Sequence, residues 1–135
     1  MSIEIKRTSL SAMAQTISIR GHKLTADEGS SNGGADTGPT PHDLYDAALG
    51  ACKALTVLWY AGKKGIPVED VQTVIERDGS GERSGVYKLT ARMSISGALS
   101  DAQLTELLAV AKKCPVHKLM TTVTTEIDTE LERAT

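Results

Sequence analysis

The chain has 135 residues, of which 40% are hydrophobic and 24% are charged, and its formal net charge is −2. This composition predicts one globular domain over residues 1–135 and excludes a broad basic surface for nucleic acid. An aromatic content of 3%, with no Phe, also leaves few rings on which bases could stack, so we expect no nucleic-acid partner.

Neither the N-terminus nor any later stretch has the pattern of a signal peptide or a membrane span, and Lys53 interrupts the most apolar run. We therefore expect a cytoplasmic protein with no membrane partner. The only two cysteines, Cys52 and Cys114, do not form the framework of a disulfide-rich secreted protein. A reducing cytosol would keep both as thiols at rest.

The N-terminal segment predicts a hairpin, because isoleucines at 3 and 5 and again at 17 and 19 alternate with polar residues. Residues 29–40 are rich in Gly, Ser, Asn and Asp and predict a loop. Its glycines lack the Gly-Lys-Ser/Thr ending of a phosphate-binding loop, so we interpret the segment as a flexible connection. Pro41 suits the first turn of a helix that begins near Thr40.

The predicted central helix, from Leu44 to Tyr60, has apolar or small residues on nearly every face, so we expect it to be buried nearly all round. One stripe at helical spacing stands out: Leu44, Ala48, Ala51, Cys52, Leu55 and Trp59. A Gly-rich segment with Pro67 ends the helix. One subunit cannot cover this much apolar or small surface, so we predict an obligate dimer.

Beyond the central helix, alternation over 71–75 and 87–95 predicts two strands joined by a turn at 79–85. Ser100 and Gln103 have the spacing of a capping box and begin an amphipathic helix that ends near Lys113. A short helical turn then precedes a last predicted strand over 123–127. The order ββαββαβ predicts an α+β fold with mostly antiparallel pairing.

The segment AKKCPVHK, residues 111–118, surrounds Cys114 with basic side chains. Pro115 is favoured at the first position of a helix and would make Cys114 its N-cap, where the helix dipole favours a thiolate. Lys112, Lys113, His117 and Lys118 act in the same direction. The alternative is that these lysines only complement the end of the preceding helix.

Cys52, unlike Cys114, has no basic residues in its predicted surroundings except Lys53, and a thiol on the apolar stripe of a helix is most often an inert small side chain. Its neighbours are unusually small, however, and would let a backbone or a ligand approach the helix closely: Ala47, Ala48, Gly50, Ala51 and Ala54. Tight helix packing explains the same residues, so the local sequence leaves both interpretations open.

Two motifs taken together resemble the OsmC/Ohr family of osmotically inducible and organic hydroperoxide resistance proteins. GPTPHDLYDAALGACKALTV, residues 38–57, is similar to the family's Pro-x-x-Leu-x-x-x-Ala-x-x-x-Cys helix, and AKKCPVHKLM is similar to its second-cysteine motif. HKLTADEGSSNGGADTGPTP resembles more narrowly the branch of small OsmC-like proteins.

The resemblance implies antiparallel sheets wrapped around long central helices in an intertwined homodimer, with active sites at the subunit interface. It also implies thiol peroxidase chemistry without a bound cofactor. Cys52 would attack the O–O bond of a small hydroperoxide and become a sulfenic acid, and Cys114 would resolve that acid as a disulfide. An external dithiol would supply the electrons.

The sequence departs from the family at the charged residues expected around the first thiol. The family glutamate follows the proline of the helix start, where this chain has His42, so Asp43 or Glu28 is the candidate replacement. Arg20, at the end of the second predicted strand, is the candidate for the family arginine, which stabilises a thiolate and hydrogen-bonds a peroxide.

Other chemistry has weaker support in the sequence. Cys114 and His117 have the C-x-x-H spacing of one half of a structural zinc site, which needs four ligands. Cys52, His22 and His42 could complete the set only from distant positions in the sequence, so we expect no metal. No local motif supplies the base and oxyanion hole of a Cys-His hydrolase. The second hypothesis is a non-catalytic dimeric ligand-binding or redox-sensing protein on the same scaffold, favoured by the missing glutamate.

Overall fold

A computed structural model describes residues 1–134 of the chain. Within it the chain forms two compact units, one from Met1 to Ala48 and the other from Leu49 onward. The strands are β1 (Glu4–Arg7), β2 (Gln15–Ile19), β3 (His22–Ala26), β4 (Val68–Asp78) and β5 (Lys88–Gly97). The α-helices are α1 (Pro41–Lys64), α2 (Asp101–Lys112) and α3 (Pro115–Thr121). This α+β architecture agrees with the fold class predicted from the sequence.

The first unit contains an antiparallel sheet in the order β1-β2-β3. The predicted hairpin is confirmed, with Ile5 opposite Ile17. Strand β3 is an addition to the predicted elements, and its first three residues are exposed. The turn before it has the backbone of a two-residue hairpin turn, since Arg20 and Gly21 are consecutive residues at φ 48° and 91°.

The carboxylate of Asp27, directly after β3, organises the loop that follows. Asp27 is only 5% exposed and accepts hydrogen bonds from the backbone N–H groups of Glu28 (2.8 Å), Ala35 (3.2 Å) and Thr37 (3.0 Å), and from the Thr37 hydroxyl (2.6 Å). The prediction of a flexible connection is therefore wrong: a buried charge satisfied by backbone donors holds the two ends of the loop together.

Two neighbouring glycines let this loop close on itself. Gly33 lies at φ 89°, in the left-handed region that favours glycine. A Cβ atom on Gly34 would lie 2.0 Å from the carbonyl oxygen of Glu28, closer than any side chain can approach. The two glycines thus allow the loop backbone to pack closely against itself.

Strands β4 and β5 of the second unit form an antiparallel pair, which confirms the two strands predicted after the central helix. Helix α2 begins at the predicted capping box. The Ser100 hydroxyl accepts from the Gln103 N–H at 3.1 Å, and the Gln103 side chain accepts from the Ser100 N–H at 3.0 Å. This reciprocal pair satisfies two backbone donors that a helix start leaves unpaired.

Helix α1 is buried along one line of residues spaced four apart, namely Leu49, Lys53, Val57 and Ala61. The apolar centre of the unit groups residues from α1, α2 and the turn before β4: Val57, Ala61, Ile66, Leu107 and Ala111. Gly50 lies close to β4, since a Cβ atom there would be 2.8 Å from Cγ1 of Ile75.

The prediction that α1 is buried nearly all round is wrong for the single chain. Leu55 and Trp59, both on the apolar stripe predicted from the sequence, are 66% and 64% exposed. The sequence shows apolar residues on two sides of the helix, but the other elements of the described chain cover only the side that contains Val57 and Ala61.

The last predicted strand, over 123–127, is also wrong. From Val123 to residue 134 the described chain contains no helix or strand, and Ile127 is 83% exposed. A strand requires a neighbour to pair its backbone groups, and none of the described strands pairs with this segment. Alternation of Val123, Thr125 and Ile127 alone does not provide that partner.

Acid sensitivity of the first unit follows from Asp27. Hydrogen bonds, above all those from the Thr37 hydroxyl and N–H, lower the pKa of Asp27 to about 2, below the roughly 3.9 of an unfolded aspartate. A depressed pKa stabilises the fold above the unfolded value, and that stability is lost as pH falls from about 4 to about 2.

We predict that Asp27→Asn lowers the melting temperature at pH 7, because an amide nitrogen would face backbone donors. The difference from wild type should shrink between pH 4 and pH 2, as followed by circular dichroism. Asp36→Asn is the matched control, since Asp36 is exposed in the same loop. A difference that stays constant from pH 7 to pH 2 would contradict the role given to the Asp27 charge.

Candidate functional site

Cys52 lies on α1, half-buried, with its sulfur in contact with α3. The backbone N–H of Val116, in the first turn of α3, donates to Cys52 Sγ at 3.5 Å. The Thr56 hydroxyl, one turn further along α1, is 3.9 Å from the same sulfur. Two polar groups thus lie close to the sulfur, so this thiol is not in a purely apolar environment.

Cys114 is the N-cap of α3, with extended backbone (φ −61°, ψ 147°) and Pro115 in the first helical turn, as predicted. It is fully buried, at 0% exposure, whereas Lys112 and Lys113 are exposed. A thiol in this position meets only reactants that the protein itself brings to it.

The structure brings the two predicted thiols to one corner of the second unit. Val116, whose N–H contacts Cys52 Sγ, is only two residues after Cys114 along the chain. Both cysteines are free thiols. The corner therefore combines a half-buried sulfur on α1 with a fully buried sulfur at the start of α3.

A residue that sequence reasoning missed lies beside them. Lys53 is 6% exposed, and its Nζ donates to the carbonyl oxygen of Ala111 at 2.9 Å and lies 3.0 Å from Nδ1 of His117. A lysine ammonium has no acceptor, so the contact with Nδ1 of His117 is a hydrogen bond in the tautomer that leaves Nδ1 without a proton. Its spacing in the sequence could have indicated that Lys53 is buried, because it lies four residues from both Leu49 and Val57 on one side of α1.

The charged candidates belong to the first unit. Arg20 is exposed in the turn between β2 and β3. Glu28 is half-buried beside Asp27, to which its N–H donates. His42 is exposed in the first turn of α1. The part that each would take in thiol chemistry stays a prediction.

Asp43 has a structural role at the start of α1. Its carboxylate accepts from the Thr40 N–H at 3.0 Å, and the Thr40 hydroxyl accepts from the Asp43 N–H at 3.1 Å. This reciprocal arrangement confirms that the helix begins after Thr40, and an acidic residue is favourable there because of the helix dipole. Its predicted catalytic role is separate from this cap and stays a prediction.

Among residues 1–134, no three or more His, Cys, Asp or Glu side chains are grouped so that they could hold a metal ion. Within the same described residues, none of the helices has the length and apolar character needed to cross a membrane.

Residues 33–130 match the sequence profile of the family described as OsmC-like protein. No curated protein sequence matches the chain. An OsmC-like protein from Mycoplasma pneumoniae has a similar structure, with 19% identity, coverage of 91% of this chain and 89% of that chain, and a TM-score of 0.71.

Two further similar structures have names that refer to hydroperoxides. The organic hydroperoxide resistance protein OsmC of Legionella pneumophila has 21% identity, covers 90% of each chain and gives a TM-score of 0.66. The organic hydroperoxide resistance protein OhrB of Bacillus subtilis has 17% identity, covers 90% of this chain and 92% of that chain, and gives a TM-score of 0.59. At these identities the likeness shows a shared fold.

The different burial of the two thiols predicts an order of labelling. In the native protein, iodoacetamide should modify Cys52 roughly tenfold or more faster than Cys114, because Cys114 is reached only through local opening. Mass spectrometry of timed digests measures both rates. In Cys52→Ser, labelling should be nearly absent until urea is added. Equal rates for the two thiols in the folded wild type would contradict the burial of Cys114.

Proposed function

The chain belongs to the OsmC-like protein family, whose profile matches residues 33–130, and on that premise we propose that it is a cysteine-dependent peroxidase. Its substrates would be organic hydroperoxides or hydrogen peroxide. The observation that supports this most is the contact between Cys52 and the first turn of α3, the helix whose N-cap is Cys114. Hydroperoxide resistance proteins with the same fold add to that support.

In the first step, the Cys52 thiolate attacks the outer oxygen of the O–O bond. The O–O bond breaks, Cys52 becomes a sulfenic acid, and the leaving oxygen takes up the proton that the thiol released, which gives an alcohol from an organic hydroperoxide and water from hydrogen peroxide. Cys52 suits this role better than Cys114, because it is half-buried and has the Val116 N–H beside its sulfur. The buried Cys114 is shielded from a peroxide that arrives from solvent.

In the second step, the Cys114 thiol attacks the Cys52 sulfenic acid, a disulfide forms, and water leaves with the thiol proton. An external dithiol then reduces the disulfide and returns both thiols. The two electrons that reduce the peroxide thus come from the dithiol. Two resting thiols favour a cytoplasmic location, where the reductants of the cell keep them reduced.

Arg20 and one of Asp43 or Glu28 are the proposed counterparts of the charged residues that the family places around its first thiol. A guanidinium can stabilise the thiolate and donate hydrogen bonds to the peroxide, while a carboxylate orients the guanidinium. The Asp43 carboxylate already accepts the Thr40 N–H. A second candidate function, in which the protein binds a ligand or senses oxidation without efficient turnover, is favoured by His42 in the place of the family glutamate.

The homodimer is part of the same proposal. Neighbouring large apolar side chains in the C-terminal half of α1 are exposed in the single chain, at 66% for Leu55, 46% for Leu58 and 64% for Trp59. An apolar helix face of this kind marks an interaction surface, and a second copy of the chain would cover it.

Substitution of each cysteine separates the two roles. Cys52→Ser should lower dithiol-dependent peroxide consumption at least about a thousandfold, as expected for loss of a nucleophile. Cys114→Ser, without a dithiol, should consume about one equivalent of peroxide and leave a sulfenic acid on Cys52 that dimedone traps. Peroxide loss and peptide mass spectra give the two readouts.

The outcome for the wild type decides between the candidate functions. If equimolar hydroperoxide leaves both cysteines as free thiols, under conditions that oxidise a control thiol peroxidase, the peroxidase proposal fails and the binding role replaces it. If the thiols are oxidised once but dithiol-driven turnover is absent, redox sensing is the better description.

The exposed face of α1 predicts the oligomeric state. Sedimentation at micromolar concentration should show a dimer, and Leu55→Lys should shift it to monomer or unfold it, because a charge would then be buried in the interface. Val86→Lys is the control, an equally drastic change of an exposed apolar residue in the turn between β4 and β5. A folded wild-type monomer at this concentration would exclude the proposed dimer.

A further inference from the structure

Lys53 is a buried cation that the peroxidase steps above do not use. It follows Cys52 directly on α1, yet it lies on the buried line of that helix, at 6% exposure. Burial of an ammonium is costly unless acceptors replace the lost water. Its position therefore requires specific partners, and the structure provides two.

The first partner is the carbonyl oxygen of Ala111, 2.9 Å from Nζ. Ala111 lies in the last turn of α2, where carbonyl groups have no partner within the helix and the helix dipole favours a positive charge. Lys53 thus acts as a C-terminal cap for α2, supplied by the side chain of another helix.

The second partner is Nδ1 of His117, 3.0 Å from Nζ, on the first turn of α3. The two partners lie on either side of the link between α2 and α3, which consists of Lys113 and Cys114. One ammonium therefore attaches both ends of this link to α1, one residue after Cys52. We call the contact between Lys53, Ala111 and His117 the Lys53 bracket.

The bracket sets where Cys114 lies relative to Cys52. The same short segment that contains Cys114 places the Val116 N–H 3.5 Å from Cys52 Sγ. If the bracket is released, α3 loses the contact of His117 with α1, and the buried thiol that precedes α3 loses one of the contacts that hold it in position. Misplacement by about 1 Å can slow a reaction between held groups by up to about 100-fold.

From this geometry we infer that Lys53 is a positioning residue for disulfide closure between Cys52 and Cys114. The inference rests on the proposed function, in which Cys114 resolves the Cys52 sulfenic acid with loss of water. Lys53 does not touch the reacting sulfur atoms in this role; it acts through Ala111 and His117. Its removal should slow the second chemical step and leave the first step nearly unchanged.

The test compares the two steps in Lys53→Met, which keeps side-chain length and removes the donors. After one equivalent of cumene hydroperoxide, rapid quenching with dimedone measures sulfenic acid, and non-reducing digests measure the disulfide. We expect disulfide closure to slow at least about tenfold, with sulfenic acid accumulating and its formation rate changing less than about threefold. Lys53→Arg, which keeps donors, should recover most of the closure rate.

Two further variants separate the bracket from general destabilisation. Lys63→Met removes an exposed lysine of the same helix and should close the disulfide at the wild-type rate. His117→Leu should slow closure as Lys53→Met does, and the double variant should be no slower than the slower single one, because both remove the same contact.

Measuring disulfide closure without peroxide tests this inference independently of the peroxidase proposal. Diamide accepts two electrons and two protons from a pair of thiols and so drives the same disulfide without a hydroperoxide. If hydroperoxide fails to oxidise the wild type but diamide closes the disulfide more slowly in Lys53→Met, the peroxidase proposal fails and Lys53 keeps its role.

Closure in Lys53→Met within about twofold of wild type, or equal slowing in Lys63→Met, overturns the inference. Independent, multiplicative losses in the two bracket variants overturn it as well. If Lys53→Met does not fold by circular dichroism, His117→Leu decides, and a wild-type closure rate in that variant refutes the bracket. Failure of diamide to link Cys52 with Cys114 in the wild type refutes both proposals.

Discussion

The buried ammonium of Lys53 is the contact on which the helical part of this protein depends, because all three helices share it. It belongs to α1, caps the last turn of α2 through Ala111, and holds the first turn of α3 through His117. Burying the same charge without partners would cost roughly several kcal/mol of folding free energy. In this arrangement of the helices, Ala111 and His117 offset that cost. The two cysteines occupy the positions directly beside this contact.

The distribution of apolar side chains is the second constraint. Val57 and Ala61 on one side of α1 pack with Leu107 and Ala111 of α2, but the opposite side of α1 carries large apolar residues that the described chain leaves exposed. A small chain with few aromatic rings has little material to cover both sides of a 24-residue helix. The same shortage of covering side chains explains why the apolar residues after α3 find no surface of the described chain to pack against.

Local signals predicted the elements that depend on local chemistry. The capping box of Ser100, the Pro115 start of α3 and the alternation in β4 and β5 all depend on residues within a few positions of each other. Features that depend on distant partners could not be read in this way. The choice of buried side on α1, the bracket made by Lys53, and the missing strand at 123–127 are set by which elements meet, and periodicity does not contain that information. The family resemblance pointed to Cys52 and Cys114, which the structure brings to one corner of the second unit, but not to Lys53.

The loop closed by Asp27 also limits how this chain can change in length. Three backbone donors and one hydroxyl converge on one carboxylate, while Gly34 passes under the carbonyl of Glu28 with no room for a side chain. Inserting or deleting a single residue between Asp27 and Thr37 would shift the donors away from the carboxylate and move a bulkier residue into the place of Gly34. Related sequences that keep this carboxylate should therefore keep the spacing of the loop, and length variation should accumulate in turns such as the one between β4 and β5.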